Sequence, residues 1–342
     1  MHNDKKRRVL KSLLGAVGIA VFVVLATVQV RAHAGNYIMS VINKTLIYYL
    51  AVASLNLMLG FAGYLNFSTI AFMGVSAFFT ADFALAGWPM LAAMLMATAI
   101  STAISFVLGF ALLRLKGPYF VFGSMGLLYI AAVIFGNLVA YSGGPNGRSN
   151  YGKLVVFGHT ISGFKQWFPI LLVIAILTIW FVFRIKKTSL GRSLMAIRDD
   201  ETAACTLGIN AFRTKIIAFV IASTMCGFAG SLLAAHNGVV SASLFGMNIA
   251  QEFVIMAMLG GILNPIGSFV GAFIVSWLPE MLRFSTSWMN IIYGVMVVIL
   301  MIFMPMGLSS IVTQSVKRIR RGLRAKRTNR TKEEKNNVMS EG

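Results

Sequence analysis

MLAAMLMATAISTAISFVLGFALL, residues 90–113, carries no charged side chain, and Arg114 and Lys116 follow it closely. About 20 largely apolar residues in a helix cross roughly 30 Å of hydrocarbon, so the run predicts one transmembrane helix with a basic edge. Comparable runs lie on either side, at residues 10–30, 38–59, 67–85, 119–140, 168–183, 216–235, 249–262, 266–282 and 288–306. The expected fold is an all-α polytopic membrane bundle of about eight to ten transmembrane helices, some short or broken. A β-barrel does not fit, because these runs are continuously apolar instead of alternating. Residues 67–85 include Asp82, and residues 249–262 are few for a full crossing, so each is a candidate broken or re-entrant helix.

Composition agrees. Of 342 residues, 58% are hydrophobic and 12% charged, whereas soluble domains carry about 25% charged residues. The net charge of +20 would suggest nucleic acid, but the basic residues gather at the chain ends. Lys5, Lys6, Arg7, Arg8 and Lys11 precede the first run, and ten Lys or Arg lie between Lys317 and Lys335. Such flanks set orientation by the positive-inside rule and touch anionic lipid. The expected partner of this charge is therefore membrane lipid and not nucleic acid.

An even number of spans returns the chain to the side on which it began, which suits two basic cytoplasmic termini. Residues 1–11 are then a basic cytoplasmic start, 12–308 the membrane domain, and 309–342 a basic, disordered cytoplasmic tail. Loop 185–215 is inside, with Arg184, Lys186, Lys187, Arg192, Arg198, Arg213 and Lys215 in or beside it, while loop 141–166, rich in Gly, Ser and Asn, is outside. The start resembles a signal peptide with a cleavage site at Ala32-His33-Ala34, but the run from Leu13 to Val30 is longer than a signal core and predicts a retained helix. Cys205 falls in the inner loop and Cys226 inside a span, so no disulfide is expected.

Several chemistries lack their residues. No G-x-x-x-x-G-K-[ST] phosphate cradle occurs. His2, His33, His159 and His236 are scattered without metal-ligand spacing, so no metal site is expected, and no G-x-S-x-G elbow marks a catalytic nucleophile. Asp82, Glu252 and Glu280 are the acids within apolar runs, and they lie toward span ends, where helix caps or interfaces explain them better than ion coupling.

Residues 189–210, SLGRSLMAIRDDETAACTLGIN, interrupt the apolar pattern. Leu194, Ile197, Ala204 and Leu207 recur near helical spacing, with Arg192, Arg198, Asp199, Asp200 and Glu201 able to occupy the other side. Gly208 can end such a helix in the left-handed conformation. Taken alone, the pattern suits an amphipathic surface helix and an ordinary solvated connection equally.

The segment resembles the cytoplasmic coupling loop of the branched-chain amino acid ABC transporter permeases, S-x-G-R-x-L-x-A-I-R-x-D-E-x-A-A-x-x-L-G-I-N. Ser189, Gly191, Arg192, Leu194, Ala196, Ile197, Arg198, Asp200, Glu201, Ala203, Ala204, Leu207, Gly208, Ile209 and Asn210 match that pattern. Residues 55–81, beginning LNLMLGFAG, residues 114–120 (RLKGPYF), 142–147 (SGGPNG) and 259–272 (LGGILNPIGSFVGA) are similar to further motifs of the family. Tyr64, Asn66, Phe67, Ser68 and Thr69 depart from a usual Gln, Ser, apolar, Gly and His, and Asn264-Pro265 replaces a small or apolar pair. Those departures put the solute in doubt more than the class.

The resemblance implies a solute path between two related permease subunits, two cytosolic ATP-binding subunits and a periplasmic or extracellular solute-binding protein, in a bacterial inner membrane. It implies no cofactor in this chain, ATP and Mg being bound by the partner, and no enzyme activity of its own. Gly191, Arg192, Ala196, Arg198, Asp200, Glu201, Ala204 and Gly208 would couple to the ATPase. Asn56, Asn66, Ser68 and Thr69 are the polar groups expected nearest the path, although helix capping explains each nearly as well. Gly227, Gly230, Gly260, Gly261, Gly267 and Gly271 are expected to pack helices closely. Related permeases for urea or short amides share the pattern, and an ion-coupled secondary carrier and an intramembrane enzyme or scaffold are the readings from other classes.

Overall fold

The computed structural model describes residues 35–156, 159–161, 163–281, 294–295 and 298. The expectations for residues 1–11, the first span at 10–30, the cleavage motif and the tail at 309–342 lie outside the described residues. So does the span at 288–306, apart from residues 294, 295 and 298.

Backbone groups in hydrocarbon must find partners within their own segment, so the apolar runs become helices. These are α1 (Asn36–Asn56), α2 (Ser68–Leu85), α3 (Met90–Leu112), α4 (Pro118–Asn137), the single turn α5 (Val139–Ser142) and α6 (Phe164–Lys187). Then follow α7 (Ser189–Asp199), α8 (Glu201–Thr206), α9 (Ala211–Asn237), α10 (Met247–Gly260) and α11 (Pro265–Met281). Among the described residues six helices are long and apolar enough to span a membrane: α1 with its extension to Ala62, α2, α3, α4, α6 and α9. The protein is an all-α membrane bundle, with every expected span in the described region occupied by a helix.

Burial orders the layers. In α1 94% of the apolar window lies inside the bundle, against 28% in α4, so α1 is the central post and α4 a peripheral stave. Around the post stand α6, α9, α10 and α11, while α9 also packs along α2 and α3. Past Asn56 the post widens into a π-helical turn, Leu57–Ala62, that ends at Gly63 with φ of 76°. A π turn leaves its last carbonyls without helical partners, and the Gly60 carbonyl becomes an attachment point for a side chain of another element.

Of the two candidate broken spans, α2 is continuous, with Asp82 in its last turn. Helix α10 has 14 residues, about 21 Å at 1.5 Å per residue, which is short of the bilayer core. It runs antiparallel to α11 in a hairpin whose turn reaches the end of α1: Leu263 N–H donates to Asn56 Oδ1 at 3.3 Å and Leu263 carbonyl accepts from Lys186 Nζ at 3.0 Å. Leu263 has φ of 75°, a conformation costing a branched residue roughly 1–2 kcal/mol, and bonds on both sides of the residue hold it there.

The two faces of the bundle differ. Arg114, Lys116, Arg184, Lys186, Lys187, Arg192, Arg198 and Arg213 lie at the ends of α3, α6, α7 and α9 or their loops, on one face. The opposite face carries two small antiparallel β pairs in and beside the region read as loop 141–166. Strands β2 (Leu154–Val156) and β3 (His159–Ile161) form one pair, with Leu154 opposite Ile161. The other joins β1 (Arg148–Ser149) to β4 (Val239–Val240). Asp82 and Arg148 form an ion pair of 3.0 Å there, and Tyr37 hydroxyl donates to Glu280. Two of the three acids in apolar runs thus sit at a bundle face, bonded to groups of the same chain.

Candidate functional site

The segment that interrupts the apolar pattern lies on the basic face and folds as two helices, not one. Thr188 caps α7, its hydroxyl accepting from Gly191 N–H at 3.4 Å. Leu194 and Ile197 point inward. A Cβ at Gly191 would collide with the Ile185 carbonyl, so glycine is what lets α7 fold back tightly on α6. At Asp200 the backbone is extended, with φ −157° and ψ 111°, and its carboxylate accepts from Ala203 N–H at 3.0 Å. A carboxylate that caps a new N-terminus competes with continuation of the old helix, and here it wins. The break shifts the register expected for a single helix. Ala204 stays buried, but Leu207 is 81% exposed, beside Gly208 with φ of 84° and open space where a Cβ would stand. Arg192 and Asp200 are exposed, and Ala196 is half-buried against the small cluster of Ile197, Ala204 and Ala211.

Arg198 and Glu201, expected to face a partner, have partners inside the chain on either side of the break. Arg198 Nη1 donates to the Gly60 carbonyl at 2.6 Å, at the carbonyl-rich end of α1 that favours a cation. Its stem passes so close to Gly63 that an added Cβ would lie 3.0 Å from Cγ. Glu201 Oε2 lies 2.6 Å from Lys215 Nζ and accepts from Tyr64 hydroxyl at 3.1 Å. Lys215 Nζ also donates to Tyr64 Oη at 2.6 Å and stands 4.5 Å from the centroid of its ring. Burial raises the Glu201 pKa, but the Lys215 hydrogen bond and charge, the Tyr64 hydrogen bond and the Lys116 charge outweigh it and leave the carboxyl below its ordinary value. Tyr64, Gly63, Arg198, Glu201, Pro118 and Phe122 also border a cavity of about 520 Å³ on this face.

The four residues expected near a solute path fall into two places. Asn56 is 3% exposed; its Nδ2 donates to Ser268 Oγ at 2.6 Å and its Oδ1 accepts from Leu263, so it ties α1 to the hairpin. Asn66, Ser68 and Thr69 lie together at the start of α2. Asn66 Oδ1 accepts from Ser68 N–H and hydroxyl at 3.1 and 2.6 Å, and Thr69 hydroxyl donates to Asn66 carbonyl at 3.1 Å. Asn66 Nδ2, fully buried, has no hydrogen-bond partner. The Asn264-Pro265 departure starts α11: Asn264 Oδ1 accepts from Ile266 N–H at 3.2 Å, with proline in the first helical position.

The glycines stand at close crossings. A Cβ at Gly230 would strike the Met73 carbonyl, and one at Gly227 would press on Ser101. Gly260 meets the backbone of Gly267, Gly271 meets Met256 and Gly260, and Gly261 turns the chain out of α10 with φ of 98°. Tyr64 and Lys215 carry the joint on the basic face, yet nothing in their local spacing marks them. Tyr64 gave a signal only as a departure from the family pattern, and Lys215 read as one more basic loop residue.

The family described as "Branched-chain amino acid transport system / permease component" matches residues 37–305. The high-affinity branched-chain amino acid transport system permease protein LivM of Escherichia coli is 29% identical over 77% of this chain and 68% of its own length. LivM of Salmonella typhimurium is 28% identical, with the same coverage of both chains. LivH of Escherichia coli, a permease protein of the same named system, is 29% identical over 42% of this chain and 45% of its own. No solved structure matches. With its apolar helices, its motif-bearing surface segment and a family match spanning most of its length, this chain belongs to the permease components of branched-chain amino acid transport systems.

Proposed function

We propose that this chain is the membrane-spanning subunit of an ATP-driven importer that carries branched-chain amino acids, or a closely similar small solute, across a bacterial inner membrane. It works beside a second related permease subunit, with two cytosolic ATP-binding subunits that hold ATP and Mg and an external solute-binding protein that delivers the load. The face carrying α7 and α8 is cytoplasmic, as its concentration of Arg and Lys favours, and both termini lie on that side. The observation that carries the reading is the α7–α8 segment itself. It stands outside the bundle and offers Leu207, Gly208, Arg192 and Asp200 to solvent, yet it is bonded to the end of the central helix. Closure of an ATPase pair around nucleotide would push on that segment and shift the bundle between outward-open and inward-open states. Of the expected path residues, Asn66, Ser68 and Thr69 remain candidates, because the Asn66 amide nitrogen is buried with unused donors. Asn56 fits better as a tie between α1 and α11.

Reconstitution tests this. Proteoliposomes holding the whole assembly should accumulate labelled leucine, isoleucine or valine only with ATP and the binding protein present, with urea and xylose as comparison solutes. Gly208→Trp should abolish uptake while leaving membrane insertion intact, since φ of 84° disfavours any side chain there and the bulk would block the exposed surface. Uptake by the isolated chain would contradict the proposal.

A further inference from the structure

Helix α8 has six residues, and Ala204 is its one buried side chain. A helix of that length is unstable alone, and it hangs between two joints, the extended Asp200 and the left-handed Gly208. Pushed by a docked partner, such a piece would swing at Asp200 and deliver nothing to the membrane unless bonds crossed the joint. Two sets of bonds do so. Before the break, Arg198 holds the end of α1; just after it, Glu201 holds Lys215 of α9 and Tyr64 of the connection into α2.

The cation in the second set is unusual for its depth. Lys215 is 4% exposed, and an unpaired ammonium so placed would carry a large desolvation penalty. Buried ion pairs add little net stability relative to apolar residues of the same volume, so holding the fold together does not explain a lysine here. What the pair supplies is direction: one carboxylate oxygen, with the Tyr64 hydroxyl beside it, fixes three elements against each other, and the acid is the half that faces outward, its side chain 37% exposed. Two residues past Tyr64, Asn66 Oδ1 accepts from the N–H and hydroxyl of Ser68, the first residue of α2, so movement of Tyr64 reaches the α2 start directly. The cavity beside Tyr64 gives this connection room to move.

We propose that Lys215 and Tyr64 are positioning residues for transport: with Glu201 they lock α8, the connection into α2 and the N-terminal part of α9 into one body, so that a push on α8 becomes displacement of α2 and α9. This rests on the reading that an ATPase docks on α7 and α8, and it assigns Glu201 to the inner side of that segment.

The test uses the complete assembly in proteoliposomes and reads three quantities: ATPase copurifying with the permease, ATP hydrolysed, and leucine taken up. Lys215→Met and Tyr64→Phe should keep copurification and hydrolysis within about twofold of wild type. Lys215→Met should raise the ATP consumed per leucine roughly tenfold, within the usual range of coupling between sites, and Tyr64→Phe by about threefold, since it loses the hydroxyl's two hydrogen bonds but keeps the ring and the Glu201–Lys215 ion pair. Glu201→Gln, which leaves the Lys215 ammonium with Tyr64 alone, should raise the ratio as Lys215→Met does, and the unfolding temperatures of both variants, read beside retained copurification, separate an uncoupled protein from a misfolded one. Exchange of the pair, Glu201→Lys with Lys215→Glu, should recover part of the coupling that either single change loses. An unchanged ratio in Lys215→Met and Glu201→Gln, with the ATPase still bound, would overturn the lock and leave docking intact. Failure of the wild-type chain to retain the ATPase would instead overturn the docking reading on which the lock depends.

Discussion

Two joints in this molecule are built from opposite materials. Where α9 crosses α2 and α3, contact is neutral and close. Gly230 lies against the Met73 carbonyl, and Ser231 Oγ sits 2.6, 3.0 and 3.2 Å from the hydroxyls of Ser76, Thr80 and Thr98. Where α7 and α8 meet the bundle, the bonds come from Arg198, Glu201, Lys215 and Tyr64. In lipid, apolar burial does not draw helices together, so small residues and hydroxyls set a permanent seam. At the aqueous edge a charge is affordable, and it can join elements far apart in sequence without filling space between them. Under the proposed function the seam is the frame and the edge joint the moving part.

Substitution can break that contrast at either end. The largest effect should come from Gly230→Leu, which drives a side chain into the backbone of α2 and should cost about 3 kcal/mol or more. Loss of the folded protein in detergent, followed by size exclusion and thermal unfolding, would register it; a stable variant would mean that α9 and α2 do not cross so closely. Ser231→Ala removes the shared partner of three hydroxyls and should cost about 1 kcal/mol, since hydrogen bonds between membrane helices are individually modest. A small drop in unfolding temperature with transport retained is the expected result. The smallest effect concerns acid. Because the folded-state pKa of Glu201 is depressed, its contribution is complete above the ordinary carboxylate value near 4.3 and fades as pH falls through the lower folded value. Unfolding temperature should therefore show no step from Glu201 between about pH 6 and 8. Glu201→Gln should make the acid limb of the profile shallower.

The frame was far more legible in the sequence than the moving part. Apolar runs located all eight helices of 14 residues or more in the described region, because in hydrocarbon length and hydropathy nearly dictate the element. Gly230 and Gly271 each stand where an added Cβ would strike a neighbouring carbonyl. Charge near water obeys no such rule. Arg198, Asp200 and Glu201 looked alike on a helical wheel, but Asp200 turns back to cap α8 while its neighbours reach to α1 and α9, and a period of 3.6 cannot foresee a cap that breaks it. Tyr64 and Lys215 are 151 residues apart, and only the folded chain brings them together. Leu207 went astray for the same reason: continued from α7 it would face inward, and after the break it faces out.

The native Cys205 offers the most direct measurement. It is exposed on α8, while Cys226 is buried in α9, so a membrane-impermeant maleimide reports the position of this segment without any substitution. In sealed vesicles of known orientation, Cys205 should be labelled from the cytoplasmic side alone, and addition of the ATPase subunits should protect it. Labelling from the external side, or labelling that the assembled ATPase leaves unchanged, would contradict a coupling segment at α7 and α8.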